Sequence, residues 1–312
     1  MTKRYNDFNT YLRKKFGCRV QKITIDAGFS CPNRDGTLSG VGCLYCDEKG
    51  SGSGAANRGQ SIEEQIYEGK LRLASRYKAK KFLAYFQAFT NTYAGCRELR
   101  KKYDEAITDP DVVGLAIGTR PDCVDEEKLE LIQGYTATHM VWMEYGLQSA
   151  HNRTLKRVNR GHSVEDFIRA VHLTQGRNIL ICAHVILGLP GESSRDIVKT
   201  ATTIANLGIE AVKIHNLYIV KDTPMAQIYN TGKCAILDQE RYVDWITLFL
   251  EHLRPDTIIQ RLTGDPNRHF LLAPRWALEK HQTLAMIHQN LQDRNTFQGR
   301  LYKGACCEPV GS

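Results

Sequence analysis

Apolar residues along the chain gather into short runs, separated by stretches with a helical period. The runs cover residues 20–26, 82–89, 112–119, 140–147, 179–189 and 211–220, and most are nearly continuous in apolar character. A strand covered on both faces reads that way. Between them, residues 61–77, 98–108, 125–133, 163–174, 193–205 and 223–229 form helix-like segments. Ser61, followed three residues later by Glu64, has the pattern of a capping box. Strand and helix alternate six times, which predicts parallel βαβ units. From residue 82 onward the strand starts lie 30, 28, 39 and 32 residues apart, one βα unit each. The first interval is 62 residues, so a long loop is inserted after the first strand.

The pattern alone leaves an open doubly wound sheet and a full or partial barrel both possible. In each, the loops at the carboxyl ends of the strands form the active face. After residue 231 an amphipathic segment (238–253), a strand-like stretch (257–262) and a last helix near 276–291 read as an appendage on the main domain. The expected division is an N-terminal helical segment over 1–19, a core over 20–231, and a C-terminal α/β extension with a tail over 232–312.

Composition narrows the class. Of 312 residues 42% are hydrophobic and 24% charged, which excludes a disordered or low-complexity chain. The longest apolar run, 179–189, is broken by His184 and is too short for a bilayer. The N-terminus lacks the apolar core of a signal peptide, so a cytoplasmic protein with no membrane partner is expected. The net charge is +8, with basic clusters at Arg13-Lys14-Lys15, Lys78-Ala79-Lys80-Lys81, Arg100-Lys101-Lys102 and Arg157-Val158-Asn159-Arg160. They fit either a nucleic-acid partner or solvated helix faces.

Ten cysteines in a chain of this size are no disulfide framework in a reducing compartment, and a close group of them reads as a metal site. Cys31, Cys43 and Cys46 share the inserted Gly-rich loop with the spacing C-x11-C-x2-C. A structural zinc needs four protein ligands, and here a fourth has to come from elsewhere, such as His184 or Cys123. A [4Fe–4S] cluster held by three thiolates instead keeps one iron open to an exogenous ligand. The spacing leaves both readings open. The position of the loop, at the face where chemistry sits, favours the cluster.

Further motifs stand in order at the strand ends. They are Ser30-Cys31-Pro32-Asn33-Arg34-Asp35-Gly36-Thr37, Ala84-Tyr85-Phe86-Gln87-Ala88-Phe89-Thr90-Asn91-Thr92, Gly118-Thr119-Arg120-Pro121-Asp122, Glu144-Tyr145-Gly146-Leu147-Gln148-Ser149 and Gly188-Leu189-Pro190-Gly191-Glu192. With these the chain resembles radical S-adenosylmethionine (SAM) enzymes of the branch related to the elongator catalytic subunit and oxygen-independent coproporphyrinogen oxidase. Within that branch it resembles the YhcC/YtqA-type (MnmL-like) family, from about Phe8 to Trp276.

The resemblance implies an α/β fold, a partial (βα)6 TIM-like barrel with a C-terminal appendage. It implies a [4Fe–4S] cluster on Cys31, Cys43 and Cys46, with the open iron chelated by the amino and carboxyl groups of SAM. One electron, from a donor such as flavodoxin or ferredoxin, would cleave the sulfonium to methionine and a 5′-deoxyadenosyl radical. It further implies that Tyr45 and Ile186 pack near the adenine, that Gln148 meets the ribose hydroxyls, and that Arg160 neutralises the methionyl carboxylate. Gln87 stands where relatives hold the amino group of SAM. Arg120 would meet the SAM carboxylate or a substrate phosphate, or else close the barrel rim through an ion pair. Glu144 alternates onto the face of Gly146 and Gln148, and Arg120 is its expected partner. His184 is expected to reach substrate or to be a satisfied core histidine, and Lys213, His215 and Lys221 add polar groups near the mouth.

No acetyltransferase domain, as in the elongator relatives, is expected in a chain of this length. The remaining cysteines lack cluster spacing, so a single cluster is expected, with a sulfur-donor or redox role for Cys306-Cys307 a remote alternative. MnmL-like members process a carboxymethylaminomethyl group on the tRNA wobble uridine to aminomethyl, so tRNA is the expected substrate. The alternatives are a radical SAM enzyme acting on a small metabolite or protein, and a zinc-stabilised RNA-binding protein.

Overall fold

The computed structural model describes residues 3–48, 50 and 55–304; Cys306 and Cys307 lie outside them. Seven parallel strands make one sheet. They are β1 (Val20–Ile25), β2 (Lys81–Phe86), β3 (Val112–Thr119), β4 (Met140–Gln148), β5 (Leu180–Leu187), β6 (Ala211–Asn216) and β8 (Ile258–Arg261), in the order β1-β2-β3-β4-β5-β6-β8. The short β7 (Ile219–Val220) and β9 (Leu271–Ala273) pair antiparallel beside it.

Helices α2 (Ile62–Tyr77), α3 (Cys96–Ala106), α4 (Glu126–Gly134), α6 (Val164–Thr174), α7 (Ser194–Asn206) and α9 (Gln239–His252) cover the outside. The others are α1 (Phe8–Phe16), α5 (Asn152–Arg157), α8 (Pro224–Asn230) and α10 (Lys280–Asp293). Alternation along each strand does the sorting. Ile117, Met143, Tyr145, Val185 and Ile214 point out and join the helices in the main core, whereas Gly118, Glu144, Gly146, His184, Lys213 and His215 point in.

Local signals explain the helix starts. Ser61 Oγ accepts from the Glu64 amide at 3.1 Å and the Glu64 carboxylate accepts from the Ser61 amide at 2.8 Å, the expected capping box. Ser163 with Asp166, and Ser193 with Asp196, repeat the device at α6 and α7.

The partial barrel expected from the resemblance is present, with one strand more than the six foreseen. The stretch near 257–262 enters the sheet as β8, where Ile258 and Ile259 are in register with Ala211 and Val212. The N-terminal helix has a task that the sequence did not suggest. Phe8 and Tyr11 of α1 set their rings edge-on to the inward-facing Trp142, at 5.7 and 6.2 Å. With Leu12, Leu83 and Ala116 they form an apolar plug at the base of the barrel. The Ile259 amide donates to the Asn6 carbonyl at 2.7 Å, which fastens the entry to α1 against β8.

At Gly114 the strands leave no space for a side chain. A Cβ there would overlap the Met140 carbonyl and come within 2.9 Å of a Leu83 methyl. Gly114→Ala is therefore expected to lower stability by about 1–3 kcal/mol. Urea denaturation should show a lower midpoint at unchanged slope; an unchanged midpoint would mean that the sheet yields at this point.

Candidate active site

The site is assembled at the carboxyl ends of the strands. After β1 the chain winds through residues 26–48 in short turns. The Arg34 and Asp35 amides donate to the Cys31 carbonyl at 2.8 and 3.1 Å, and the Cys46 amide donates to the Cys43 carbonyl at 3.0 Å. The loop is clamped from the side by the segment after α5. Asn159 Nδ2 donates to the Gly42 carbonyl and Asn33 Nδ2 to the Asn159 carbonyl, both at 2.7 Å. The Leu44 amide donates to the Val158 carbonyl at 3.0 Å.

Cys31, Cys43 and Cys46 line one cavity of about 390 Å³. Side-chain donors aim at two of the sulfurs. Asn33 Nδ2 and Arg160 Nη1 lie 3.6 Å from Cys43 Sγ, and Arg34 Nη1 lies 3.5 Å from Cys46 Sγ. Burial opposes ionisation of Cys43, but the adjacent Arg160 guanidinium outweighs it and holds the thiol below its usual range. Cys46 is pushed up to about 12 by burial and by its neighbour Cys43, against the pull of Arg34.

The three sulfurs do not close on one another as zinc ligands would. Zinc ligands at bonds of about 2.3 Å lie about 4 Å apart. Among the described residues the one set of three potential ligand atoms within 4.8 Å is Glu144, Cys182 and His184. Neither His184 nor Cys123 completes a zinc knuckle with the loop. Wide spacing, side-chain donors on the sulfurs and a shared cavity suit an anionic cluster, whose sulfurs accept hydrogen bonds.

The cavity wall also brings together Tyr45, Gln87, Arg120, Glu144, Gln148, Arg160 and Ile186, all expected near the cofactor. Gly146 is what allows two of them to lie across β4. A Cβ at this position would stand 2.5 Å from Arg160 Nη2 and 2.7 Å from Gln148 Nε2. Arg160 Nη2 and His162 Nε2 both reach the Gly146 carbonyl at 2.9 Å. Arg160 Nε is buried without a partner, as is Thr90 Oγ1. Buried donors of this kind are costly unless a ligand satisfies them.

One expectation is overturned. Arg120 does not pair with Glu144. Its guanidinium makes a two-pronged bridge to Asp122, at 2.9 and 2.8 Å, and donates to the Arg160 carbonyl at 2.7 Å. Asp122 stands two residues away, so Arg120 finds its carboxylate within its own turn. Glu144, fully buried, is instead shared by Lys22, by His184 at 2.8 Å and by Lys213 at 3.3 Å. Burial drives its carboxyl upward, but Lys213, Lys22 and His184 together hold it well below its ordinary 4.5. Lys213 also donates to the Tyr85 hydroxyl at 2.8 Å, and burial lowers it to about 7. Lys221 is exposed and is not part of the wall.

Sequence reasoning missed Lys22, Tyr85 and Arg261 as part of this site. A lysine or arginine inside an apolar strand run was the available signal, because such a residue is rarely buried unpaired.

A curled parallel sheet carrying three loop cysteines at its carboxyl ends defines a class of enzyme, and the sequence comparisons agree. The Radical SAM superfamily model matches residues 31–204 and the Radical_SAM C-terminal domain matches residues 209–293. The chain belongs to the radical SAM superfamily and is a radical SAM enzyme. Membership implies SAM and a [4Fe–4S] cluster.

Within the superfamily the chain is similar to YtqA of Bacillus subtilis, 38% identical over 301 residues, covering 96% of this chain and 94% of that protein. A shorter match, to the tRNA uridine(34) acetyltransferase of Methanocaldococcus infernus, is 30% identical over 138 residues, 43% of this chain and 25% of that one. The solved structure of Elp3 from Methanocaldococcus infernus, with an N-terminal deletion, has a TM-score of 0.68 at 16% identity, covering 89% of this chain and 64% of that chain. That likeness is one of fold.

Glu144→Gln is expected to cost about 3–5 kcal/mol, because it leaves Lys22 and Lys213 buried without their shared carboxylate. The carboxyl is depressed in the folded state. Its stabilisation is therefore complete above the ordinary 4.5 and is lost as the pH falls through the folded-state value. Unfolding of wild type and variant should differ fully at neutral pH and converge in acid. A difference independent of pH would show that the charge is not what stabilises.

Proposed function

We propose that the chain cleaves SAM reductively at a [4Fe–4S] cluster on Cys31, Cys43 and Cys46, and uses the radical on the wobble uridine of tRNA, where loss of a hydrogen atom to the radical, return of one electron to the cluster and hydrolysis by water would convert a carboxymethylaminomethyl group to aminomethyl and release the two carbons as an aldehyde acid. The observation that carries the first half is the single cavity shared by the three cysteines and the inward faces of β2 to β6. When bound, the reduced cluster would supply one electron to the sulfonium of SAM, splitting it into methionine and a 5′-deoxyadenosyl radical. The electron comes from an external donor of the flavodoxin or ferredoxin class.

The chain's own residues orient and enclose. Asn33 and Arg160 donate toward the Cys43 sulfur and Arg34 toward that of Cys46, and Arg160 favours the ionised Cys43 thiolate. The unpartnered Arg160 Nε is the donor we assign to the methionyl carboxylate. Gln148, carried over Gly146 on an irregular turn of β4 with φ +69°, is assigned to the ribose. Tyr45 and Ile186 offer the apolar surface for the adenine, because both pack beside Val158, Leu189 and Leu217. Gln87 and Thr90 complete the wall on the β2 side.

Two points support tRNA. One is the partial match to a tRNA uridine(34) acetyltransferase. The other is exposed basic charge at Arg100 and Lys101 on α3. Some of the basic residues seen in the sequence are already engaged: Arg160 lies on Cys43, and Arg157 donates to the Pro190 carbonyl at 2.8 Å.

Anaerobic reconstitution tests both halves. Wild type should turn brown, hold about four irons and sulfides, and form 5′-deoxyadenosine, whereas Cys31→Ala, Cys43→Ala and Cys46→Ala should each lose iron and the product. A colourless wild type holding one zinc would end the reading. For the substrate, nucleoside mass spectrometry of tRNA from a deletion strain should show carboxymethylaminomethyluridine accumulating; an unchanged profile excludes this uridine.

A further inference from the structure

The floor of the cavity holds more positive charge than it neutralises. Lys22, Arg261 and Lys213, the last only partly protonated near pH 7, share it with one carboxylate, Glu144. His184 and His215 do not restore the balance. Burial holds His184 at about 4 and His215 well below its ordinary value, so both are neutral near pH 7.

Arg261 is the odd member. It stands in register with Lys213 on the neighbouring strand, and His184 is in register with Lys213 on the other side. The Arg261 guanidinium makes no hydrogen bond or ion pair with any described residue. The other charged groups of the wall are engaged: Arg120 with Asp122, Arg160 with Cys43 and the Gly146 carbonyl, Arg34 with the Asp47 carbonyl, and Asp265 with Lys280 at 3.1 Å. A partly buried guanidinium beside Lys213, with no acceptor among the described residues, keeps its donors free for a ligand. A planar fork of donors beside an ammonium matches an anionic oxygen pair.

We propose that Arg261 and Lys213 form the binding site for a carboxylate at the end of the substrate's side chain. A backbone phosphodiester does not suit this place. Its chain continues on both sides, whereas the floor is closed beneath by Trp142 and α1. The carboxylate of SAM has the same chemistry, but its assigned donor, Arg160, sits on the cysteine loop. The inference rests on the uridine reading above only for the identity of the substrate, namely a side chain that ends in a carboxymethyl group.

The test measures binding rather than turnover. The reconstituted holoenzyme is titrated calorimetrically with 5-carboxymethylaminomethyluridine, with 5-aminomethyluridine and with SAM. Wild type should bind the carboxylated nucleoside at least about tenfold more tightly than the amine. Arg261→Gln should erase that preference and Arg261→Lys should keep part of it, while SAM binds all three proteins alike. Thermal unfolding gives a second readout. Removing an uncompensated cation should leave the melting temperature of Arg261→Gln at or above that of wild type.

A preference that survives in Arg261→Gln, a parallel loss of SAM affinity, or a clearly lower melting temperature would each overturn the proposal. If neither nucleoside binds, the uridine reading fails by itself, and acetate then decides. Acetate, compared with chloride at equal ionic strength, should raise the melting temperature of wild type and not of Arg261→Gln. No effect of acetate on either protein removes the site.

Discussion

One buried negative charge organises the interior of this barrel. The Glu144 carboxylate of β4 is shared by Lys22 of β1, His184 of β5 and Lys213 of β6, so strands on opposite sides of the sheet are tied through a single group. Three cationic or proton-bearing partners around one carboxylate make this a network in which each member is satisfied by the others. Lys22 adds a further tie, donating to Gln260 of β8 at 2.6 Å. The first and last strands of the sheet thus meet through a polar bridge although no backbone ladder joins them.

From this layer the inside of the barrel is graded. Below it Trp142, Leu83, Ala116 and the rings of α1 exclude water. Above it Gly146, Gln148 and Ile186 open toward the cysteine loop. The apolar base lowers the local dielectric, which strengthens the ion pairs above it and magnifies any charge left over. Small residues serve the same layout. Gly146 gives up its side chain so that Arg160 and Gln148 can lie against the strand, and the Cys43 sulfur receives one of its donors, Arg160, from that direction.

Much of this was legible in the sequence because it depends on local pattern. The first six strands follow from apolar runs, and Ser61 and Glu64 announced their helix. The grouping of three cysteines in one loop and the alternation of Glu144, Gly146 and Gln148 followed from spacing, whereas the choice between a cluster and a zinc did not. What depends on register was not legible. Whether Glu144 meets Arg120 or Lys22 is decided by how far β1 and β6 are shifted against β4, and the local Arg120–Asp122 pair removed the first option. The stretch that became β8 is only four residues long, too short to distinguish a sheet member from a surface strand. The role of α1 was hidden because its apolar residues are few: Leu12 alone is fully buried, and Phe8 and Tyr11 act through ring contacts with one tryptophan.

The seal at the base has a consequence for how the chain matures. It joins segments far apart in sequence, since α1 precedes β1 and β8, which holds Asn6 through the Ile259 amide, follows the other six strands of the sheet. Contacts so distant in sequence form late and slow the search for the native state. Until residue 261 is free, the growing chain has strands but no closed bottom, and the lysines that converge on Glu144 remain open to water. Assembly of a working interior is thereby deferred until β8 has been made.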